Sequence, residues 1–303
     1  MKITGNICES GGKKMPDGRF VNEDGLFTFC VDYMDKKYDF IILMDGATGL
    51  GKDHQIVEGY TSAEWYVSFM IKEMRKLFKK DPTLSLEFVV DKCILKATKA
   101  IDDFEKDNNI TLEEYQKPSA SLAILRTDGF RTDVFLLGDS QTIVAYSNGM
   151  VTTINNPNQK VVQNLENGVL SKMAELAEAN GCNLLDTRES REIEEILSKN
   201  RSKKNAVCEG GYWVCGTTPN SAKHGVSVTF ENADITGLIL ASDGFNYQML
   251  DLDEKQTYNL VLEKGVEIVT KLIREKQEED AMCNKYPRFK KSDDLTVVHF
   301  DYM

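Results

Sequence analysis

The sequence contains few of the residues that build histidine- or cysteine-based metal sites. Its 303 residues include three histidines, at positions 54, 224 and 299, which lie far apart in the chain. The seven cysteines are odd in number and form no C-x-x-C pair. They therefore fit reduced thiols packed as small apolar side chains better than a disulfide framework or a zinc site. Any metal site in this protein should be built from carboxylates.

The sequence also lacks a long apolar segment and an excess of positive charge. No apolar stretch approaches the ~20 residues that a membrane-spanning helix requires, and residues 1–12 lack the apolar core of a signal peptide. The 48 acidic residues outnumber 37 lysines and arginines, which gives a net charge of −11. Nucleic-acid binders normally carry a basic face. We therefore expect a cytoplasmic protein that contacts neither a membrane nor nucleic acid.

The apolar residues fall into short runs of β-type composition. Between residues 121 and 154, turn dipeptides such as Asp128-Gly129 and Asn148-Gly149 separate them without an intervening helix, which predicts antiparallel pairing. The runs are Phe27–Val31, Phe40–Met44, Leu122–Leu125, Val134–Leu137, Ile143–Tyr146, Leu238–Ala241 and Leu295–Phe300.

Three stretches, 66–77, 89–104 and 258–273, have the 3-4 apolar spacing of helices that pack against a sheet. Central strands with helices at the flanks predict an α+β fold with sheet packed on sheet. Residues 155–210 are polar, with weaker helical patterns at 161–179 and 188–199. We interpret them as an insertion within a single domain spanning 1–303, because they contain too few large apolar residues for a separate core.

Several carboxylates stand at the ends of predicted strands. Asp45 and Asp243 each follow an apolar run, and Asp293 precedes one. In antiparallel strands the end of one and the start of its neighbour share a rim, so these acids and Glu23-Asp24 could converge. Gathered acids repel unless cations hold them, and oxygen ligands alone select Mg²⁺ or Mn²⁺. The spacing fits equally well turn and cap residues that never meet.

The motifs around these acids resemble those of the metal-dependent Ser/Thr protein phosphatases of type 2C, in the same order along the chain. The segment Gly211–Pro219 is similar to a bacterial subgroup of that family. The matching motifs are Arg19–Asp24, Ile42–Gly46, Pro118–Ala123, Leu137–Ser140, Leu240–Gly244 and Ser292–Val298.

The resemblance implies a four-layer α-β-β-α sandwich of two antiparallel sheets flanked by helix pairs, with two Mg²⁺ or Mn²⁺ ions at one end. Asp45 would bridge the two ions. Asp243 and Asp293 would complete the ligands of the first, and the carbonyl of Gly46 and the side chain of Glu23 would serve the second.

The resemblance also implies the reaction. A water between the ions would attack the phosphorus of a phosphoserine or phosphothreonine in a protein or peptide directly, without a phosphoenzyme. Asp24 would hold metal-bound water by hydrogen bonds or coordinate a metal directly. Arg19, whose planar guanidinium can donate to two phosphate oxygens, would bind the phosphate. Without the family motif, an exposed surface arginine would be the better interpretation of Arg19.

Three positions depart from the family pattern. Ala47 stands where many members have a histidine that acts as general acid, and His54 is a loop residue. Tyr247 stands where an aspartate often helps to bind a third ion. Whether a third ion binds, with Asp139 as a possible ligand, is therefore left open. Asp294 replaces a common asparagine and would act beside the metals or in a third site.

Two alternatives share these residues. The chain could be a metal-binding interaction module with little or no activity, or a phosphatase of small phosphorylated metabolites. The 155–210 insertion could select the substrate, and Arg201, Lys203 and Lys204 could contact an acidic phosphopeptide or form a solvated face. The oligomeric state is not predicted.

Overall fold

The computed structural model describes residues 2–154 and 156–302. Residue 155, the predicted start of the insertion, lies outside the described residues, as do the two terminal positions. Within the described ranges, ten strands build two sheets. In chain order they are β1 Lys2–Glu9, β2 Gly25–Tyr33, β3 Lys36–Ala47, β4 Ser119–Thr127, β5 Arg131–Leu137, β6 Gln141–Tyr146, β7 Val151–Thr153, β8 Val226–Glu231, β9 Ile235–Ala241 and β10 Leu295–Asp301.

The two sheets have five strands each, and all their neighbouring strands pair antiparallel. One sheet runs in the order β1-β10-β9-β6-β7 and the other in the order β2-β3-β4-β5-β8. Each predicted apolar run lies within a strand. The three strands that the sequence did not predict, β1, β7 and β8, are edge strands, where alternate side chains stay in solvent and little apolar pattern is required.

Helices cover the outer faces of both sheets, so the expected four-layer sandwich is confirmed. The first helix packs on β2, β3 and β4, and the second joins it in one apolar cluster with β3. The last two helices pack on β1, β6, β7 and β10. Among the described residues no helix is both long and apolar enough to cross a lipid bilayer. The helices are α1 Ser62–Lys80, α2 Leu86–Asp107, α3 Pro157–Asn180, α4 Arg191–Arg201, α5 Glu254–Lys264 and α6 Val266–Glu279.

Strand β3 is apolar on both faces because it lies between two cores. Phe40, Ile42 and Met44 pack under α1 and α2, whereas Ile41 and Leu43 belong to the core between the sheets. Successive side chains on a strand point to opposite faces. Asp45 therefore continues the face of Ile41 and Leu43, and it emerges at the end of the strand opposite Ser121 of β4.

Helices α3 and α4 form the insertion between β7 and β8. They enclose a small apolar cluster built on Val169, Met173 and Ile193, which the composition of this segment did not predict. The cluster is completed by Cys283 and Phe289 from the loop after α6. The insertion thus packs against a distant loop and lies over one end of the sandwich.

Candidate metal centre

A cleft of about 1420 Å³ opens where β3 and β9 end and β10 begins. Seven of the nine residues predicted for the site line it, so the two sheets bring together acids from both ends of the chain. Arg19 and Asp24 are the two that do not line it. The seven are Glu23, Asp45, Gly46, Asp139, Asp243, Asp293 and Asp294.

The acids on the cleft floor perturb one another. Burial, followed by the charges of Asp243 and Asp24, raises the pKa of Asp45 well above its usual range. Desolvation by the surrounding protein, followed by the charges of Asp293 and Asp139, also raises the pKa of Asp243. The side chain of Asp243 is open to the cleft, where the charges of Asp293 and Asp139 repel it. Repulsion of this kind is what a bound cation relieves.

Asp24 is 8% exposed and lines a second, smaller pocket beside α1. Its Oδ2 atom is buried and has no hydrogen-bond partner among the described residues. Burial raises its pKa to about 7, and the hydroxyls of Thr296 and Ser242 offset this only in part. A buried carboxylate oxygen without a partner is costly in an apoprotein, and it fits a site that is completed by an ion and its water.

The donor set fits Mg²⁺ or Mn²⁺, although the side chains do not form a closed cage. Within residues 2–154 and 156–302, no three acidic, histidine or cysteine side chains are grouped tightly enough to hold an ion by themselves. Magnesium is usually bound through one or two carboxylates and keeps several waters. Pairs of acids, together with the carbonyl of Gly46, are sufficient for such a site.

The side chain of Asp294, just before β10, forms hydrogen bonds with the segments around Gly11 and Glu23. Its Oδ1 accepts the backbone N–H of Gly11 at 2.7 Å and its Oδ2 accepts that of Glu23 at 2.7 Å. An asparagine would offer one oxygen for these two donors, which explains the acid at this position. The side chain of Glu23 in turn accepts from Lys13 at 2.8 Å and from the hydroxyl of Thr48.

Arg19 is held away from the cleft. Its Nη1 and Nη2 donate to the two carboxylate oxygens of Glu64 at 2.7 and 3.0 Å, and Nη2 also donates to the carbonyl of Gly59 at 2.6 Å. Glu64 is fixed in turn by a capping box with Thr61 at the start of α1. This placement differs from the expectation that Arg19 faces the metals. Its phosphate-binding role stays a prediction.

The sequence did not predict Glu166 as a cleft residue. For Arg201 it left open whether the side chain contacts a phosphopeptide or forms part of a solvated face. Glu166 lies in a helical stripe of α3 with Val162, Leu165 and Val169, all facing the cleft. A lone acid within an apolar stripe is the sequence pattern that indicates it. Burial and the charges of Asp139 and Asp293 raise the pKa of Glu166 to about 7.

The structure shows where two of the residues that depart from the type 2C pattern lie. Ala47 lines the cleft, and no histidine is among the cleft-lining side chains of the described residues. Tyr247 is 3% exposed and packs with Phe245 in the core beneath α5 and α6. It therefore offers no ligand to an ion in the cleft.

Gly244 is the position where the turn after β9 touches the residues before β10. A Cβ atom there would lie 1.9 Å from the carbonyl oxygen of Asp294. We expect Gly244→Ala to lower the free energy of unfolding by about 1–3 kcal/mol, because the backbone must shift, and to weaken metal binding. Urea denaturation and calorimetry measure both.

Gly168→Ala is the matched control for this prediction. Gly168 lies within α3, and a Cβ atom there would meet nothing within 4 Å. Alanine should raise helix stability at this position by about 0.5–1 kcal/mol. Equal effects of the two substitutions would contradict the role of Gly244 in closing the site.

Comparison with solved structures finds the same fold in bacterial serine/threonine phosphatases. A bacterial serine phosphatase that carries one substitution superposes with a TM-score of 0.58 at 11% identity, over 100% of both chains. The serine/threonine phosphatase of Staphylococcus aureus gives 0.54 at 12% identity, covering 100% of this chain and 96% of that one. That of Mycobacterium tuberculosis gives 0.51 at 15%, covering 98% and 97%.

Comparisons with protein-family models and with curated protein sequences give no match. The likeness to solved structures shows the fold, and the fold that the type 2C resemblance implied is confirmed.

Proposed function

We propose that this chain, which has the fold of the bacterial serine/threonine phosphatases, is a Mg²⁺- or Mn²⁺-dependent phosphatase of phosphoserine and phosphothreonine in proteins. The observation that carries the proposal is the acid-lined cleft, which Asp45, Asp243 and Asp293 line from three separate strand ends. We also propose that residues 1–303 act as one catalytic unit that includes the insertion.

Some of the chain's own residues would bind the metal ions, and others would hold those ligands in position. Asp45, Asp243, Asp293 and the carbonyl of Gly46 would hold two divalent ions. Such ions supply an acidified water near neutral pH and neutralise phosphate charge. Asp294 would keep Glu23 in place beside the second ion through its bond to the Glu23 N–H. No cysteine lines the cleft in the described part of the chain, which fits a direct displacement.

The size of the cleft favours a protein substrate over a small phosphorylated metabolite. Pockets for small ligands are usually about 300–1,000 Å³ and enclose most of the ligand. The cleft is larger, about 1420 Å³, and it runs between the sandwich and the insertion. A peptide segment that carries a phosphorylated side chain fits such a space better than a small molecule.

The decisive test is hydrolysis of phosphoserine and phosphothreonine peptides and of an aryl phosphate with Mn²⁺ or Mg²⁺, with and without chelator. We expect turnover that requires the metal. Position 47 is an alanine and not the histidine that would act as general acid. The peptides should therefore react more slowly than the aryl phosphate, by up to ~10²–10⁴-fold, because their leaving groups need protonation more.

Two outcomes would favour the alternatives. Metal uptake without turnover on a broad phosphopeptide panel would identify an interaction module, for which the absence of a histidine from the cleft is the motivating observation. Preference for a sugar phosphate over every phosphopeptide would identify a metabolite phosphatase.

A further inference from the structure

The cations that line the cleft fall into two groups. Lys13, Lys290 and Lys291 are paired with Glu23 at 2.8 Å, Asp293 at 2.5 Å and Glu278 at 2.5 Å. The other two, Arg188 and Arg201, come from the insertion. Neither forms an ion pair or a side-chain hydrogen bond with any other residue that the structure describes.

Arg201 differs from Arg188 in its burial. Arg188 is exposed, so water satisfies its guanidinium. Arg201 is half-buried at the last residue of α4, and its Nη1 atom is buried without a partner among the described residues. A buried donor without a partner destabilises the folded state, and such a donor in a native protein calls for a missing partner.

The surroundings of Arg201 indicate what that partner is. Arg201 lines the same cleft as Asp139 and Glu166, and its charge opposes the rise in their pKa values that burial causes. It makes no ion pair with either within the described chain. A dianion lying in this gap could contact the guanidinium on one side and cations held by the acidic floor on the other. A phosphoryl group has this charge and this shape.

We propose that Arg201 of the insertion binds the phosphoryl group of the substrate. The type 2C resemblance implied this role for Arg19. The inference rests on the proposed function. The guanidinium of Arg19 already donates to both oxygens of Glu64 and to Gly59, whereas that of Arg201 donates to none of the residues that the structure describes. A planar guanidinium binds two phosphate oxygens at once.

The test measures binding of inorganic phosphate to the Mg²⁺-loaded protein by calorimetry, and KM and kcat for a phosphopeptide. Arg201→Ala should weaken phosphate binding by about 10–100-fold, since hydrogen bonds to charged groups contribute about 1.5–3 kcal/mol. It should raise KM for the phosphopeptide by a comparable factor. Arg201→Lys should recover part of the lost phosphate affinity. A lysine keeps the positive charge but lacks the planar pair of donors that bind two phosphate oxygens.

Arg191→Ala is the matched control, since Arg191 begins the same helix and its guanidinium donates to Glu195 at 2.8 Å on the surface. Its phosphate affinity should equal that of the wild-type protein. Arg188→Ala removes the same charge from the same cleft and should have a small, salt-sensitive effect. Should Arg201→Ala fail to fold, as judged by circular dichroism, Arg201→Lys carries the comparison.

Three results would overturn the assignment: no binding of phosphate by the wild-type protein, unchanged phosphate affinity in Arg201→Ala, or equal losses in the Arg188 and Arg201 variants. Turnover that survives with unchanged KM in Arg201→Ala would remove this role and leave the phosphatase proposal intact. Phosphate binding that depends on Arg201, in a protein without turnover, would support the anion site and remove the phosphatase proposal.

Discussion

Replacing Asp45 with asparagine is expected to lower metal-dependent turnover by about 10³-fold and to raise the melting temperature of the metal-free protein. Metal ions contribute several kcal/mol of transition-state stabilisation, and about 4 kcal/mol corresponds to three decades in rate. Asparagine keeps the shape of the side chain and removes its charge. A bridging position would therefore lose its affinity for both ions.

The gain in stability has the same origin as the loss of activity. Without metal, a charge on Asp45 is repelled by Asp243 and Asp24 in a partly desolvated place. Removing that charge relieves the repulsion, so activity and stability should change in opposite directions. Assays with Mn²⁺ measure the first effect, and thermal melts in chelator measure the second.

Asp39→Asn is the matched control for this prediction. Asp39 lies near the opposite end of β3, where it is 3.5 Å from Lys37 at the surface. The substitution removes the same charge from the same strand, and we expect turnover and melting temperature to stay close to those of the wild-type protein. A variant of Asp45 that lost both activity and metal-free stability would indicate a structural role and contradict the metal-bridging one.

The second large effect is a fall in the stability of the metal-free protein between pH 5 and pH 7. The folded-state pKa of Asp24 is raised from 3.8 to about 7. In this window the folded protein therefore holds a proton that the unfolded chain has already released. Stability falls with pH wherever the folded state binds more protons. For Asp24 alone the loss is roughly 2–3 kcal/mol.

Other groups in the cleft act in the same direction. Burial raises the pKa of Glu166 to about 7 and that of Asp139 above its usual value. The carboxyls whose pKa values are lowered, such as Asp128 and Asp280, titrate below this window. Urea denaturation in chelator at several pH values measures the slope.

Saturating Mg²⁺ or Mn²⁺ should flatten this pH dependence, because an ion takes the place of the proton and binds the folded state more tightly as the acids ionise. Asp24→Asn should reduce the slope in chelator. A flat profile in chelator would contradict the repulsion between these acids, and a slope unchanged by metal would show that the ions do not bind among them.

Among the described residues, the sequence predicted the central strands and missed three of the four edge strands, for a physical reason. Strand β3 lies between two cores, so its apolar run from Phe40 to Met44 is unbroken and easy to recognise. Strand β1, at a sheet edge, alternates exposed and half-buried residues such as Lys2 and Ile3. Its position depends on pairing with β10, which is nearly 300 residues away and leaves no local pattern.

The same distinction holds for the site. Asp45, Asp243 and Asp293 could be predicted to line a common cleft because each stands at the end of an apolar strand. The direction in which Arg19 points could not, since it depends on Glu64, which lies 45 residues away. The sequence allowed a solvated face at Arg201, Lys203 and Lys204, yet the structure buries Lys204 and turns Arg201 into the cleft.

The bond between Asp294 and the N–H of Glu23 joins residues 271 positions apart, and it has a consequence for biosynthesis. On the ribosome, the segment around Glu23 emerges long before Asp294 is translated. A nascent chain therefore exposes β3 and its acid without the partners that complete the pocket. We expect ribosome-bound or truncated chains that end before β10 to neither capture divalent ions nor cleave phosphoesters, so that the proposed activity is delayed until Asp293, Asp294 and β10 have been translated.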